Sequence, residues 1–436
     1  MEDGKAFLLG SPLTDESAVL CLERKIDDLK RLTEKLKKIN FHSAFYLLKI
    51  SISTPRLIFF LRGNPMWKHT HGLERYDAVL KESLESILNI QLSIRSWSES
   101  SLPIKYGGIG IRHATEIALP CFLSSIHEVS DLVDQLLSEP YRQLDPALLE
   151  AEKFWCENFG ELPEKDLRNI QQVWESTDIE RKIEFLSGSL EKTWDKARFK
   201  ANSARETGAW LHALPSPQLG TFLSNDEFRV ALSLRLGLPI VQPHVCICGE
   251  KVDKYGHHGL SCAKAKGTNS RHANANGIFQ RALKSGQVPA ILEPPGCSRP
   301  DGKLPDGMTL IPWARGRSLL WDFTCRDTFA PSYLNGSSNH VGYVAKQAER
   351  KKISHYSDLA HHFIFIPIAT ETSGVIGKLG MDLIKSIGSK ITDATGEKRA
   401  TSYLIQRVSI AIQKGNVVSI LGTIPPTRDL SEIFYL

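Results

Sequence analysis

Long apolar runs are missing from this 436-residue sequence. The longest, around Phe363 to Ala369, falls far short of the roughly 20 residues a membrane-spanning helix requires. The first residues, Met1-Glu2-Asp3-Gly4, are acidic and lead into no apolar stretch of the kind a secretory signal carries. A soluble, intracellular chain with no membrane partner is therefore expected. Cysteine is sparse and mostly scattered, with Cys21, Cys121, Cys156, Cys297 and Cys325 each alone, which excludes a disulfide scaffold. No internal repeat is present, which excludes a solenoid. The chain is not short of core-forming residues, however. With 42% hydrophobic and 24% charged residues it is globular rather than disordered, and its length allows two or three domains.

Charge is unevenly spread. Residues 241–436 hold 24 Lys and Arg against 15 Asp and Glu, a balance of +9, whereas residues 1–240 carry −4. A basic C-terminal half points to a polyanionic partner, because phosphate contacts supply most non-specific nucleic-acid affinity. A plain solvated basic surface would give the same count.

The clearest helix spans 14–39. Thr14 can cap it, Asp15 and Glu16 suit its first turn, and Val19, Leu22, Ile26, Leu29, Leu32, Leu36 and Ile39 recur at three- and four-residue steps. Similar patterns at 41–61, 70–92, 115–138 and 145–235 predict a helical N-terminal region, interrupted by turns between Ser98 and Arg112. Beyond Pro239 and Pro243 the character changes. A helix is expected at 271–285, short strands at Val288–Glu293, Asp306–Ile311 and Leu319–Cys325, a polar-faced helix at 341–360 and a buried strand at Phe363–Ala369. Helices follow at 377–388 and 400–414. This order predicts a mixed α/β domain.

Two clusters carry chemistry. In the first, Cys246-Ile247-Cys248-Gly249 precedes Gly256-His257-His258-Gly259-Leu260-Ser261-Cys262. Three thiolates and one imidazole suffice for tetrahedral Zn²⁺ with no open position for a catalytic water. Either His257 or His258 could complete the set. In the second cluster, Asp306 opens one predicted strand and Asp322 lies within the next, with Arg315-Gly316-Arg317 as the hairpin turn. An aspartate inside Leu-Leu-Trp-Asp-Phe is costly to bury unless it is paired or binds a cation. Two such carboxylates converging on Mg²⁺ would polarise a phosphate and lower the pKa of an attacking water. Lys346, Glu349 and Lys352, three apart on the following helix, are candidates for the charged group that completes such a site. Glu293 is a further candidate ligand. Asp301 and Asp327 read as turn residues.

These segments occur in a familiar order. Cys246 to Cys262, Ser270-Arg271-His272, Glu293-Pro-Pro-Gly through Asp306-Gly307, Trp321-Asp322-Phe323-Thr324, Ala348-Glu349 through Lys352 and Tyr356, and Ala369-Thr370-Glu371-Thr372 together resemble the restriction-like endonuclease of site-specific non-LTR retrotransposons. That is a nuclease of the PD-(D/E)xK type preceded by a Cys-Cys-His-Cys knuckle. The resemblance implies that Cys246, Cys248, His258 and Cys262 hold Zn²⁺, that Asp306 and Asp322 bind Mg²⁺, and that Lys352 is a displaced catalytic lysine with Glu349 beside it. Thr324 stands where the usual motif has lysine, and Leu304 where some relatives have a basic residue. Arg271, His272, Arg315 and Arg317 are the candidate contacts to double-stranded DNA or element RNA.

Leu8-Leu9-Gly10-Ser11-Pro12, the stretch Pro55 to Pro65 and the stretch Trp97 to Arg112 similarly resemble the thumb and linker of the same polyprotein's reverse transcriptase. The aromatic-x-Asp-Asp box of a polymerase palm is absent, and Asp27-Asp28 reads as a surface pair in a helix. The expected fold is therefore multidomain. It comprises an all-α thumb-like region (1–130), a helical linker (131–240), a zinc knuckle (241–265) and an α/β restriction-endonuclease-like domain with an α-β-β-β-α-β core (266–436). The expected activity is nicking of target DNA in the nucleus for target-primed reverse transcription. The rival expectation is a catalytically inert nucleic-acid-binding remnant or scaffold.

Overall fold

The computed structural model describes residues 7–137, 146–264, 267–297, 302 and 304–425; Met1–Gly4 and Asp301, which entered the sequence reading, lie outside them. The protein is mostly helical, with short sheets. Its chain divides into two compact units, residues 1–103 with 110–189, and residues 104–109 with 190–436.

The first unit is built of helices, apart from a short ribbon that pairs Phe7–Leu8 with Ser11–Pro12. Helix α1 (Asp15–Leu36) starts at Thr14, whose hydroxyl accepts the Ser17 amide at 3.3 Å, and buries Leu22, Ile26, Leu29 and Leu36. Val19 and Ile39, placed on the same stripe by spacing, are each 40% exposed. Asp27 and Asp28 lie mid-helix on the outer face, with Asp28 paired to Arg31 at 2.7 Å. Helix α2 (Thr70–Leu88) contributes the buried Asp77, whose carboxylate accepts the amides of Ala114 and Thr115 at 2.7 and 3.0 Å. That carboxylate caps α3 (Ala114–Leu136) against its dipole. Helices α4 (Pro146–Phe159) and α5 (Gln171–Gly188) complete the unit, packing Trp155 and Trp174 against Phe122 and Leu123.

The stretch Phe41–Gly63 departs from the expectation drawn from uninterrupted apolar runs. Among the described residues it alone is long and apolar enough to cross a membrane, with a mean hydropathy of 1.4. It is broken by π and 3₁₀ turns, and Ala44, Phe45, Leu48, Phe60 and Leu61 are buried in the unit's core. Core packing accounts for part of its apolar character, while Ile50 and Phe59 stay exposed.

In the second unit, α6 (Thr193–Asn202) and α7 (Asn225–Leu236) precede the cysteine cluster, which ends in the short α8 (His257–Ser261). After α9 (Gly267–Ser285) comes a four-stranded sheet in the order β1 (Ala290–Leu292), β2 (Gly307–Thr309), β3 (Leu319–Arg326), β4 (Ile364–Glu371). The first three strands are antiparallel neighbours and β4 is parallel to β3. A parallel pair needs a crossover, and α10 (Tyr343–His355) supplies it. Helices α11 (Lys378–Thr395) and α12 (Ala400–Leu421) cover one sheet face together with α9.

The helix, three-strand, helix, strand order is thus present, with strands β1 and β2 shorter than the sequence suggested. Asp306 stands one residue ahead of β2 rather than in it. The Arg315-Gly316 turn does form. Both residues have positive φ (51° and 72°) inside an Ala314–Arg317 bridge, the conformation a tight hairpin demands.

Alternation along β3 divides its roles. Leu319, Trp321 and Phe323 enter the core with Phe279, Leu383 and Val408, leaving Asp322 for the opposite face. Gly307 lies directly opposite Trp321, and a Cβ there would penetrate the indole ring. The substitution Gly307→Ala should therefore destabilise this unit by about 1–3 kcal/mol through overpacking. Chemical denaturation of the full chain, followed by fluorescence, would show the loss; an unchanged midpoint would mean the ring has room to move.

Candidate metal centres

The cysteine cluster grows from a two-residue ribbon, His244–Val245 paired antiparallel with Lys251–Val252. Between these strands Cys246 and Cys248 occupy a turn closed by the Gly249 amide on the Cys246 carbonyl at 2.8 Å. Gly249 has φ +97°, open to glycine at no steric cost. The chain then enters α8 through Gly256. Gly259 brings that helix against α12 so closely that a Cβ would lie 2.8 Å from Ile420 Cα.

The result is a gathering of Cys246, Cys248, His258 and Cys262 with all ligand atoms within 4.8 Å of one another. Cys246 Sγ and Cys262 Sγ are 3.7 Å apart, and Cys248 Sγ is 3.2 Å from His258 Nε2. The first separation is far too long for a disulfide. It matches the edge of a tetrahedron built on Zn–S bonds of about 2.3 Å, whose corners are roughly 3.8 Å apart. These four residues could hold a zinc ion.

The choice between the two histidines falls to His258. His257 instead stacks on Phe329 at 4.5 Å, and burial pushes its pKa down to about 4. Cys262→Ser and His258→Ala should each lower the bound zinc measured in purified protein well below one ion per chain, whereas His257→Ala should retain it. Equal zinc in all three would exclude this ligand set.

The second centre lies on the polar face of the sheet. The β2–β3 register, Gly307 with Trp321 and Met308 with Leu320, carries back one step to set Asp306 opposite Asp322. Asp306 Oδ2 accepts the Phe323 amide at 2.5 Å, fixing its side chain along β3. On the other side, the Glu293 amide donates to the Asp306 carbonyl at 3.0 Å. Glu293 is exposed with φ +48°, so a third acidic residue borders the pair.

Asp322 is 3% exposed. One carboxylate oxygen pairs with Lys352 Nζ, and the other accepts the Tyr356 hydroxyl at 2.9 Å. Lys352 and Tyr356 are four residues apart around the end of α10, so one helical face delivers both. The helix is anchored by Glu371 of β4, whose buried Oε1 accepts the amides of Val344 and Ala345 at 3.1 Å each. Burial, and then the Asp306 charge, raise the Asp322 pKa above the ordinary carboxylate range, while Lys352 and Tyr356 pull it back. A divalent cation between the two carboxylates would relieve that strain.

Not every residue singled out in the sequence belongs here. Glu349, three residues before Lys352, is not among the groups that meet the acidic pair. It is buried, and it caps α11 by accepting the Leu379 amide at 2.9 Å. Arg271 does not face a nucleic acid either. It is 2% exposed and donates to Asn416 Oδ1 at 2.7 Å. Arg315 is exposed, and Arg317 reaches the Ala360 carbonyl at 3.2 Å. His272, expected to contact DNA, points its Nε2 at Asp306 Oδ2, 3.0 Å away. That hydrogen bond is the main reason its pKa is raised.

The chain matches no family model and no curated protein. No role for Tyr356 or Glu371 follows from the sequence alone. A four-residue step was the available signal for Tyr356 and for the pair His272 and Asn276. Asn276 accepts the Trp321 indole N–H at 3.2 Å. Nothing local marks Glu371 as a cap for a helix more than twenty residues earlier.

Proposed function

We propose that the second unit is a metal-dependent nuclease that cleaves one strand of double-stranded DNA, carried by a protein of retrotransposon descent. The observation that carries this reading is the placement of Asp306 and Asp322 on one rung, with Lys352 ion-paired to Asp322. The ordered run of motifs from Cys246 to Thr372, and the basic balance of residues 241–436, support it.

Asp306 and Asp322 would hold Mg²⁺, and the ion would supply charge to polarise the scissile phosphate and acidify the attacking water. Tyr356 and Lys352 fix the Asp322 carboxylate from one side, and the Phe323 amide fixes Asp306. Lys352, 22% exposed at its side chain, is close enough to both solvent and the Asp322 carboxylate to orient the attacking water or offset charge on the phosphate. Thr324 presents no amine, so the helix lysine takes that role. His272 steadies Asp306 at the rim of the site. The knuckle, Arg315 and Arg317 would grip phosphates of target DNA or element RNA, and the place of action would be the nucleus. Zn²⁺ at the knuckle would be structural and take no part in the hydrolysis.

Supercoiled plasmid incubated with Mg²⁺ and wild-type protein should relax to open circles. Asp306→Ala and Asp322→Ala should lose nicking by about 100-fold or more, and Lys352→Ala by a comparable factor. Each variant needs the zinc content and melting behaviour of the wild type. Equal nicking by wild type and Asp306→Ala would sink the assignment. DNA binding with no cleavage by any form would favour the inert binding module.

A further inference from the structure

The chemistry beside the knuckle is of a different kind from that of the acidic site. Trp194 of α6 and Tyr255 of the knuckle loop pack ring to ring, 4.5 Å between centroids and tilted by 47°. Tyr255 also heads a row of rings running inward. His257 lies 5.7 Å from it at 16°, and Phe329 lies 4.5 Å from His257 at 23°. Trp194 also meets His257, at 4.8 Å, so the Tyr255 ring is backed by both, and both Tyr255 and Trp194 keep part of their surface in solvent.

Two exposed lysines converge on that ring. The ammonium groups of Lys192 and Lys254 lie 5.7 and 5.3 Å from the Tyr255 centroid. Neither has a carboxylate partner among the described residues. The acids adjoining them in sequence are Glu191, which is exposed, and Asp253, which has one carboxylate oxygen occupied by the amides of Tyr255 and Gly256 at 3.1 Å each. Two like charges gathered around one ring repel each other, and an anion beside that ring would offset the repulsion.

We propose that Trp194, Tyr255, Lys192 and Lys254 form a binding site for an unpaired nucleic-acid strand, DNA or RNA. The inference rests on the nucleic-acid reading of this unit but not on its cleavage chemistry. A ring backed by a stack accepts a base face, which an unpaired strand offers and a duplex conceals. The flanking ammoniums meet the phosphates on either side of that base.

Fluorescein-labelled oligonucleotides of equal length, as unpaired DNA, unpaired RNA and duplex DNA, test this by anisotropy with the full chain in Mg²⁺-free buffer. Unpaired strands should bind more tightly than duplex, and the two unpaired arms show which sugar is preferred. Tyr255→Ala should reduce the preference for unpaired over duplex about tenfold, and Tyr255→Phe should keep it. Lys192→Glu with Lys254→Glu should flatten the salt dependence by roughly one to two counterions. Wild-type zinc content in Tyr255→Ala shows that the knuckle is intact. Unchanged unpaired-strand binding in that variant would overturn the proposal, as would equal weakening toward duplex. Because binding is read without Mg²⁺, a chain that nicks no plasmid still gives an answer.

Discussion

The acidic centre depends on one register, Gly307 against Trp321. A strand presents alternate residues to opposite faces, so a slip of one position would send Asp322 into the apolar core and Trp321 out of it. Three contacts hold the register. The bare Gly307 backbone accommodates the indole, Asn276 of α9 accepts the indole N–H, and Asp306 takes the Phe323 amide. Burying Trp321 contributes on the order of 1.5–3 kcal/mol, and any other pairing forfeits it. The same packing that stabilises the sheet therefore positions the two carboxylates.

Charge is balanced around that register with little to spare. Asp322 is buried beside a second carboxylate, an arrangement that raises its pKa, and it is held by one lysine and one tyrosine from a single helix. The helix in turn is fixed by Glu371, a buried carboxylate on β4 spent on two backbone amides. Lys352 thus owes its place to a residue with no direct part in the site. The knuckle follows another logic. Its four ligand atoms converge because a two-residue ribbon ends in a tight turn and glycines permit close approach to α12.

The elements of the fold were largely legible. The capped, stepped pattern of 14–39 and the helix–strand order after residue 267 follow from periodicities that local sterics impose. The strand ends were less legible, since β1 and β2 stop where partners stop, and pairing is a property of two segments at once. Spacing alone grouped Glu349 with Lys352, but a helical residue faces whatever its neighbours leave room for, and the N-terminus of α11 claimed Glu349. The charge that makes Arg271 a candidate nucleic-acid contact is local information, and its burial beside Asn416 is not.

Sequence by itself determined which residues could do chemistry here. It set three cysteines and two histidines within seventeen positions, an aspartate amid apolar neighbours at 322, a lysine-rich helix after it and a basic C-terminal half. Tertiary structure decided which of them meet. It chose His258 over His257 and Lys352 over Glu349, and it turned His272 toward Asp306. The reason is geometric. Side-chain type is fixed residue by residue, whereas convergence of groups distant in the chain depends on strand pairing and helix packing, which no single segment contains.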